Sequence, residues 1–320
     1  MFQEKLIATL YKKKAPSTSL ITELANVLDI SYDAAHRRIS MKSKFSVDEA
    51  VVIAKHYGIS LDNLFAGQEQ VLVKKTEEIK NFQGLSVYFE SAYRSLREHP
   101  AEESTQIYYS AKDIPLFYTI QSGLLSKFKS FVWLNLLANE EDAPAFSSFQ
   151  IQAPLVESSQ NLYGFYENVS KHEIWNDTTI NSTLQQIVYF FQAGLLTGEN
   201  AVELCEQIKE LLFSLEQQCM PNNEQYKLYY HELLILNNNV LVSDQQQRSL
   251  FVPYTMLGYF ITKDERTCRN ALDFFHHQFK NSKLLNTAGT RDRKIFFNRA
   301  YQKIEFYKQQ VLSTQDFNYL

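Results

Sequence analysis

Residues 20–40, LITELANVLDISYDAAHRRIS, constrain the fold more tightly than any other stretch of this chain. Leu24, Ala25 and Leu28 recur at helical spacing and Asp29-Ile30-Ser31 breaks the period. Ser31 is placed to cap a second helix that runs through Arg37 and Arg38. A residue as small as Ala25 lets two such helices cross closely, at the roughly 90–120° of a helix-turn-helix. That crossing presents the second helix to the major groove of DNA.

The flanking residues extend the pattern. Leu6, Ile7 and Leu10 predict a first helix over 3–12, and Pro16-Ser17-Thr18-Ser19 predicts a turn. After the loop Met41-Lys42-Ser43-Lys44, Ser46-Val47-Asp48-Glu49 has the form of a capping box. Ala50, Ile53 and Ala54 continue that fourth helix, Gly58 ends it, and Ser60 to Phe65 predicts a short fifth helix before Gly67. With Leu24-Ala25, Leu28, Ile30 and Ser31 at these spacings, and VDEAVVIAKHYGISLDNLF following, residues 3–66 resemble the DNA-binding domain of the lambda-repressor/Cro-like (XRE-type) regulators. The chain departs from that family where the usual turn glycine is Asp29 and the usual glutamine opening the second helix is Ile21. The core isoleucine of the third helix is Ala35, and the next core position is Arg38 with Ile39 beside it. Ala35 and Ile39, four apart, are therefore expected to face inward on a slightly rotated third helix.

The resemblance implies that Tyr32, Asp33, His36 and Arg37 project from the third helix towards base edges. Arg37 suits the paired contact to a guanine, whereas Asp33 repels phosphate and would accept from a cytosine amino group. Thr18, Ser19 and Ser31, near helix starts, and Lys42 and Lys44, in the loop, are the implied contacts to the DNA backbone. The plainer alternative is a solvated helix face with a solubilising loop, and the run Lys12-Lys13-Lys14 is read as solvated surface.

Charge divides along the chain. Residues 1–67 hold nine lysines and arginines against seven acidic residues, and the remainder holds 23 against 29, within a net charge of −4. A mildly basic head on an acidic body suits a protein that touches DNA at one end, and so small a charge calls for two heads on one site, hence a homodimer. Cys205, Cys219 and Cys268 are too few and too scattered for a disulfide framework or a zinc ribbon. No signal-peptide pattern opens the chain, and the longest apolar stretch, Leu250 to Ile261, falls short of the roughly 18–20 residues that span a membrane. A cytoplasmic protein with no membrane partner is expected.

The division expected is a head at 1–67, a connector at 68–82 with a β-prone run Val71-Leu72-Val73, and a body at 83–320. Helices are predicted at about 86–98, 116–138, 179–196, 199–218, 264–281 and 291–312, and a strand at 105–110. YKLYYHELLILNNNVLV, from Tyr226, reads equally as one helix or as two strands around Asn237-Asn238-Asn239. The fold class expected is mainly α: a five-helix lambda-repressor-like head and a mostly helical body with short β-strands at most. Tyr163 to Tyr166, Tyr189 to Phe191 and Tyr229-Tyr230 are read as core, or else as the lining of an apolar effector pocket. Phe297, Ala300, Ile304, Tyr307 and Val311 mark either a core face or a seam between two subunits.

Sites for chemistry are sparse. His231-Glu232 is not completed to HExxH, and His276-His277 are adjacent and diverge on a helix. There is no GxGxxG, GKS, GKT or GxSxG, and pairs such as Glu102-Glu103 and Glu140-Glu141 read as exposed patches. No catalysis, cofactor or metal is expected. The sequence therefore points to a dimeric, sequence-specific DNA-binding regulator whose body takes an unknown small-molecule or peptide effector. The alternative is a protein-interaction module built on a degenerate helix-turn-helix that does not bind DNA.

Overall fold

Two units divide the chain in the computed structural model, residues 1–72 and 73–320. The residues described are 2–14, 19–61, 64, 71–137, 145–233, 235 and 237–317.

In the first unit, α1 (Phe2–Lys13), α2 (Leu20–Leu28), α3 (Tyr32–Ile39) and α4 (Val47–His56) enclose Leu6, Leu10, Leu20, Leu24, Ala35 and Ile53. Ile39 packs against this cluster beside Ala35, as their spacing predicted. Two helices end alike. After α2, Asp29 takes the left-handed conformation (φ 51°), the Ile30 N–H donates to Ala25 O at 3.0 Å and the Asp29 N–H to Asn26 O at 3.4 Å. After α4, Gly58 (φ 58°) does the same, with Ile59 N–H to Ala54 O at 2.8 Å and Gly58 N–H to Lys55 O at 3.4 Å. Both are Schellman ends, which turn the chain sharply while satisfying terminal carbonyls. The Ser46 and Glu49 capping box forms in both directions at the start of α4. Lys13, expected to be solvated, donates to the Tyr57 and Gly58 carbonyls at the far end of that helix. Residues 16–18 of the expected turn and half of the expected fifth helix lie outside the described residues, although Leu61 and Leu64 pack on this core.

The second unit corrects the expectation of a mainly helical protein. Its centre is an eight-stranded mixed sheet in the order β1-β7-β6-β5-β2-β3-β4-β8. The strands are β1 (Lys74–Lys75), β2 (Gln106–Ser110), β3 (Ser170–Trp175), β4 (Tyr226–Tyr230), β5 (Val240–Ser243), β6 (Arg248–Pro253), β7 (Tyr259–Thr262) and β8 (Lys283–Leu284). β2, β3 and β4 run parallel, and all other pairings are antiparallel. Parallel neighbours need long crossovers. Here α6 (Leu116–Thr119), α7 (Leu124–Leu137) and α8 (Ala153–Asn168) lie between β2 and β3, while α9 (Asn181–Gln192) and α10 (Gly198–Gln218) lie between β3 and β4. The remaining helices are α5 (Phe82–Leu96), α11 (Glu265–Lys280) and α12 (Thr290–Phe317).

Side chains alternate across the sheet, as the two-residue period of a strand requires. Ile107, Tyr109, Trp175, Leu228 and Val242 join the large core beneath α5–α10 and α12. Tyr108, Ile174, Leu241 and Leu250 meet Cys268 and Phe275 of α11 on the opposite face. The sheet escaped helical periodicity because its strands are short, and β3 carries Lys171, His172 and Glu173 in succession. The ambiguous run at 226–242 is two strands, yet they do not pair with each other: β4 joins β3 and β8, and β5 joins β2 and β6. Leu250 to Ile261 is the β6–β7 hairpin, and β1 lies within the expected connector. The stripe on α12 resolves as core: Phe297, Ala300, Ile304 and Val311 are buried, and the helix packs along α10. Phe165, Tyr166, Phe190 and Tyr230 are likewise core. Among the described residues no helix is long and apolar enough to cross a membrane.

Candidate nucleic-acid interface

The phase of α3 follows from what it buries. Ala35 is fully buried and Ile39 half-buried, so the opposite side of the helix faces outward. Tyr32, Asp33, His36 and Arg37 all lie exposed on that side, Tyr32 at 55%. No ion-pair partner engages Arg37 among the described residues. Arg38, the neighbouring arginine, is withdrawn from this face. Its Nε and Nη2 donate to the two Glu49 oxygens at 3.0 and 2.6 Å, and its Nη1 donates to Ala34 O at 3.1 Å. The fork-shaped guanidinium matches both oxygens of one carboxylate. The Arg38 guanidinium, helped by the Ser46 backbone N–H, holds the Glu49 carboxyl below its ordinary range.

The proposed backbone contacts occupy three settings. Ser31 is the N-cap of α3 and its Oγ accepts the Ala34 N–H at 3.2 Å, which leaves the hydroxyl proton to donate elsewhere. Ser19 is the N-cap of α2 and is exposed, with no side-chain capping bond. Thr18 lies outside the described residues. Lys42 and Lys44 are exposed on a loop that Gln3 of α1 grips. Gln3 Nε2 donates to Arg38 O at 2.8 Å and Ser43 O at 2.9 Å, and its Oε1 accepts the Phe45 N–H at 3.2 Å. Sequence reasoning missed this clamp and the Arg38–Glu49 pair. An arginine at an inward-facing position was the available signal for the second.

Among the buried polar clusters of the body that the sequence did not reveal, two centre on Glu173 and His99. Glu173, wholly buried on β3, accepts from Tyr118 Oη at 2.5 Å, from Tyr166 Oη and from Trp175 Nε1 at 2.7 Å. Burial pushes its carboxyl above the ordinary range, and these donors offset part of that shift. Burial also holds the hydroxyls of Tyr118, Tyr166 and Tyr226 well above the usual tyrosine range.

In the second cluster His99 Nδ1 lies 2.7 Å from Asp244 Oδ2, and Nε2 lies 2.9 Å from Ser249 Oγ. The connectivity is that of a Ser-His-Asp triad. Ser249 is only 1% exposed, the second residue of β6 and paired with Val242 of β5. No substrate carbonyl reaches a hydroxyl so placed. The trio instead staples the chain just beyond α5 to the β5–β6 hairpin. Among the described residues no group of three or more His, Cys, Asp or Glu side chains is placed to hold a metal ion. No protein-family model, curated protein or solved structure gives a significant match to this chain.

Proposed function

We propose that the chain is a sequence-specific DNA-binding transcriptional regulator that acts as a dimer in the cytoplasm. The observation that carries this reading is the outward face of α3, on which Tyr32, Asp33, His36 and Arg37 stand together beside a clamped loop bearing Lys42 and Lys44. In this reading α3 enters the major groove, Arg37 contacts a guanine edge, and Ser19, Ser31 and the loop lysines hold phosphates. The head's small net charge favours two heads on one operator. Ligand control by the body would shift the spacing of the heads against a DNA turn of roughly 34 Å.

The test is binding of genomic fragments selected by the protein itself, followed by fluorescence anisotropy at fixed salt. Arg37→Ala is expected to weaken specific binding by about 1–3 kcal/mol and to relax preference at one base pair. Unchanged affinity and preference would remove Arg37 from the readout.

A second reading rests on Asp33 and on the withdrawal of Arg38, which together leave the exposed face of α3 without an excess of positive charge. On that reading the head docks a protein. Salt separates the two, because a phosphate-gripping protein loses affinity steeply as salt rises. A chain whose selected DNA binds no better at low salt than at high salt is not gripping phosphate.

A further inference from the structure

A cavity of about 390 Å³ opens at the carboxyl end of β2, between the segment that follows that strand, α7, and the β6–β7 turn. In sheets with parallel strands, ligands settle in the crevice beyond the strands' carboxyl ends, and a volume of a few hundred Å³ suits a small molecule. None of the aromatic runs singled out in the sequence lines it. Its apolar wall is Tyr109, Trp133, Leu257 and Tyr259.

The polar side of the cavity has two lysines in different states. Lys129 is 3% exposed and fully engaged, donating to Asp113 Oδ2 at 3.3 Å, Thr183 Oγ1 at 3.1 Å and Gln186 Oε1 at 3.0 Å. Asp113 is committed in turn, because its Oδ1 accepts from the Ile114 N–H at 2.8 Å and the Thr183 hydroxyl at 3.0 Å. These two charges answer each other. Lys112 is exposed, lines the cavity and has no ion-pair partner among the described residues. Its backbone is fixed, because Asn238 Oδ1 accepts the N–H of Lys112 at 2.8 Å and of Asp113 at 3.2 Å. The cavity thus offers an aromatic and aliphatic wall, a neutralised interior and one unanswered positive charge on a held segment.

We propose that this cavity binds a small organic monocarboxylate, its carboxylate at Lys112 and its apolar body against Trp133 and Leu257. A single unmatched ammonium suits a singly charged head group better than a phosphate dianion, and the apolar wall excludes a bare inorganic anion as the preferred occupant. The inference concerns the body alone and is tested without DNA, so its failure leaves the reading of the head untouched.

The experiment titrates the full-length protein with hydrocinnamate, its uncharged amide and the corresponding amine, by calorimetry and by tryptophan emission. Hydrocinnamate is expected to bind saturably and change the emission, the amide to bind about tenfold more weakly, and the amine more weakly still. Lys112→Gln, at an exposed position, should lower the acid to the amide's affinity, and Lys112→Arg should restore it. Trp133→Phe, which trims the wall itself, should remove the emission change and weaken the heat of binding together. Equal affinity for all three compounds, indifference to Lys112→Gln, or no saturable binding up to about 10 mM would overturn the proposal.

Discussion

Two carboxylates, Glu49 in the first unit and Glu173 in the second, are engaged by strong donors and handled in opposite ways. Glu49 in the first unit is about one-fifth exposed and meets a full cation, the Arg38 guanidinium, through two charge-assisted bonds. Glu173 in the second unit has no exposure, and its nearest partners are two phenols and an indole. Near solvent a cation costs little to bring up, because water still shares its charge. Deep in a core a second ion must also be desolvated, so oriented dipoles replace it. The consequence is a reversed response to pH. Glu49, with its carboxyl lowered, contributes stability that is present above the ordinary carboxylate range and lost as pH falls through its folded value. Glu173, raised by burial, contributes stability that is present below that range and lost as pH rises through its folded value.

The comparison is broken most directly at Glu173. Glu173→Ala strands four buried donors, the hydroxyls of Tyr118, Tyr166 and Tyr226 and the Trp175 indole, and is expected to destabilise the second unit by about 3–5 kcal/mol. Both tryptophans, Trp133 and Trp175, lie in that unit, so denaturant unfolding followed by their emission isolates it. A loss below about 1 kcal/mol would mean that water takes over the donors and that the cluster is not a closed one. The contrast in pH response is sharpened by Glu173→Gln, which should flatten the fall in stability as pH rises above the carboxylate range. A fall of the same steepness in the variant would assign it to another group.

Effects in the first unit are smaller. Arg38→Ala should cost about 1 kcal/mol and blunt the unit's sensitivity to acid, read by hydrogen exchange of α3 and α4 amides. Changes at the two Schellman ends are of that size or smaller, and opposite in sign. Replacing Asp29 by Gly should stabilise by about 0.5 kcal/mol, because Asp pays a steric cost at φ 51° that Gly does not. Gly58→Ala at φ 58° should destabilise by about 1 kcal/mol, although the added methyl meets no neighbour. Thermal melts of the pair giving the same sign would show that the left-handed backbone is not what distinguishes them.

The same division explains what could be read in advance. The first unit is written in signals a few residues apart: Ser31 caps at Ala34, Ser46 and Glu49 cap each other, and Asp29 and Gly58 close their helices. The exposed face of α3 was legible for that reason, since Ala35 sets its phase. Arg38 lies only 11 residues from Glu49, but their pairing crosses two helices, and no periodicity announces it. In the second unit the decisive pairings are distant. Gln106 to Ser110 lies beside Ser170 to Ile174, and Tyr108, Tyr109 and Glu173 belong to a sheet that no local window contains. Helix α8 was missed because its apolar stripe is weak and Gly164 interrupts it. Lys129 and Asp113 meet Thr183 and Gln186 across α7 and α9, a juxtaposition fixed only once the crossovers have formed.

Gln3 holds the loop after α3 entirely through main-chain atoms, the carbonyls of Arg38 and Ser43 and the amide of Phe45. Its grip uses none of the side chains at 40–44, although Met41 at φ 63° calls for a residue that tolerates the left-handed region. Lys42, Lys44 and the outer residues of α3 can be exchanged wholesale while the shape that displays them persists. The head is in that sense a mount with replaceable fittings, whose outer side chains can change without rebuilding the bundle beneath.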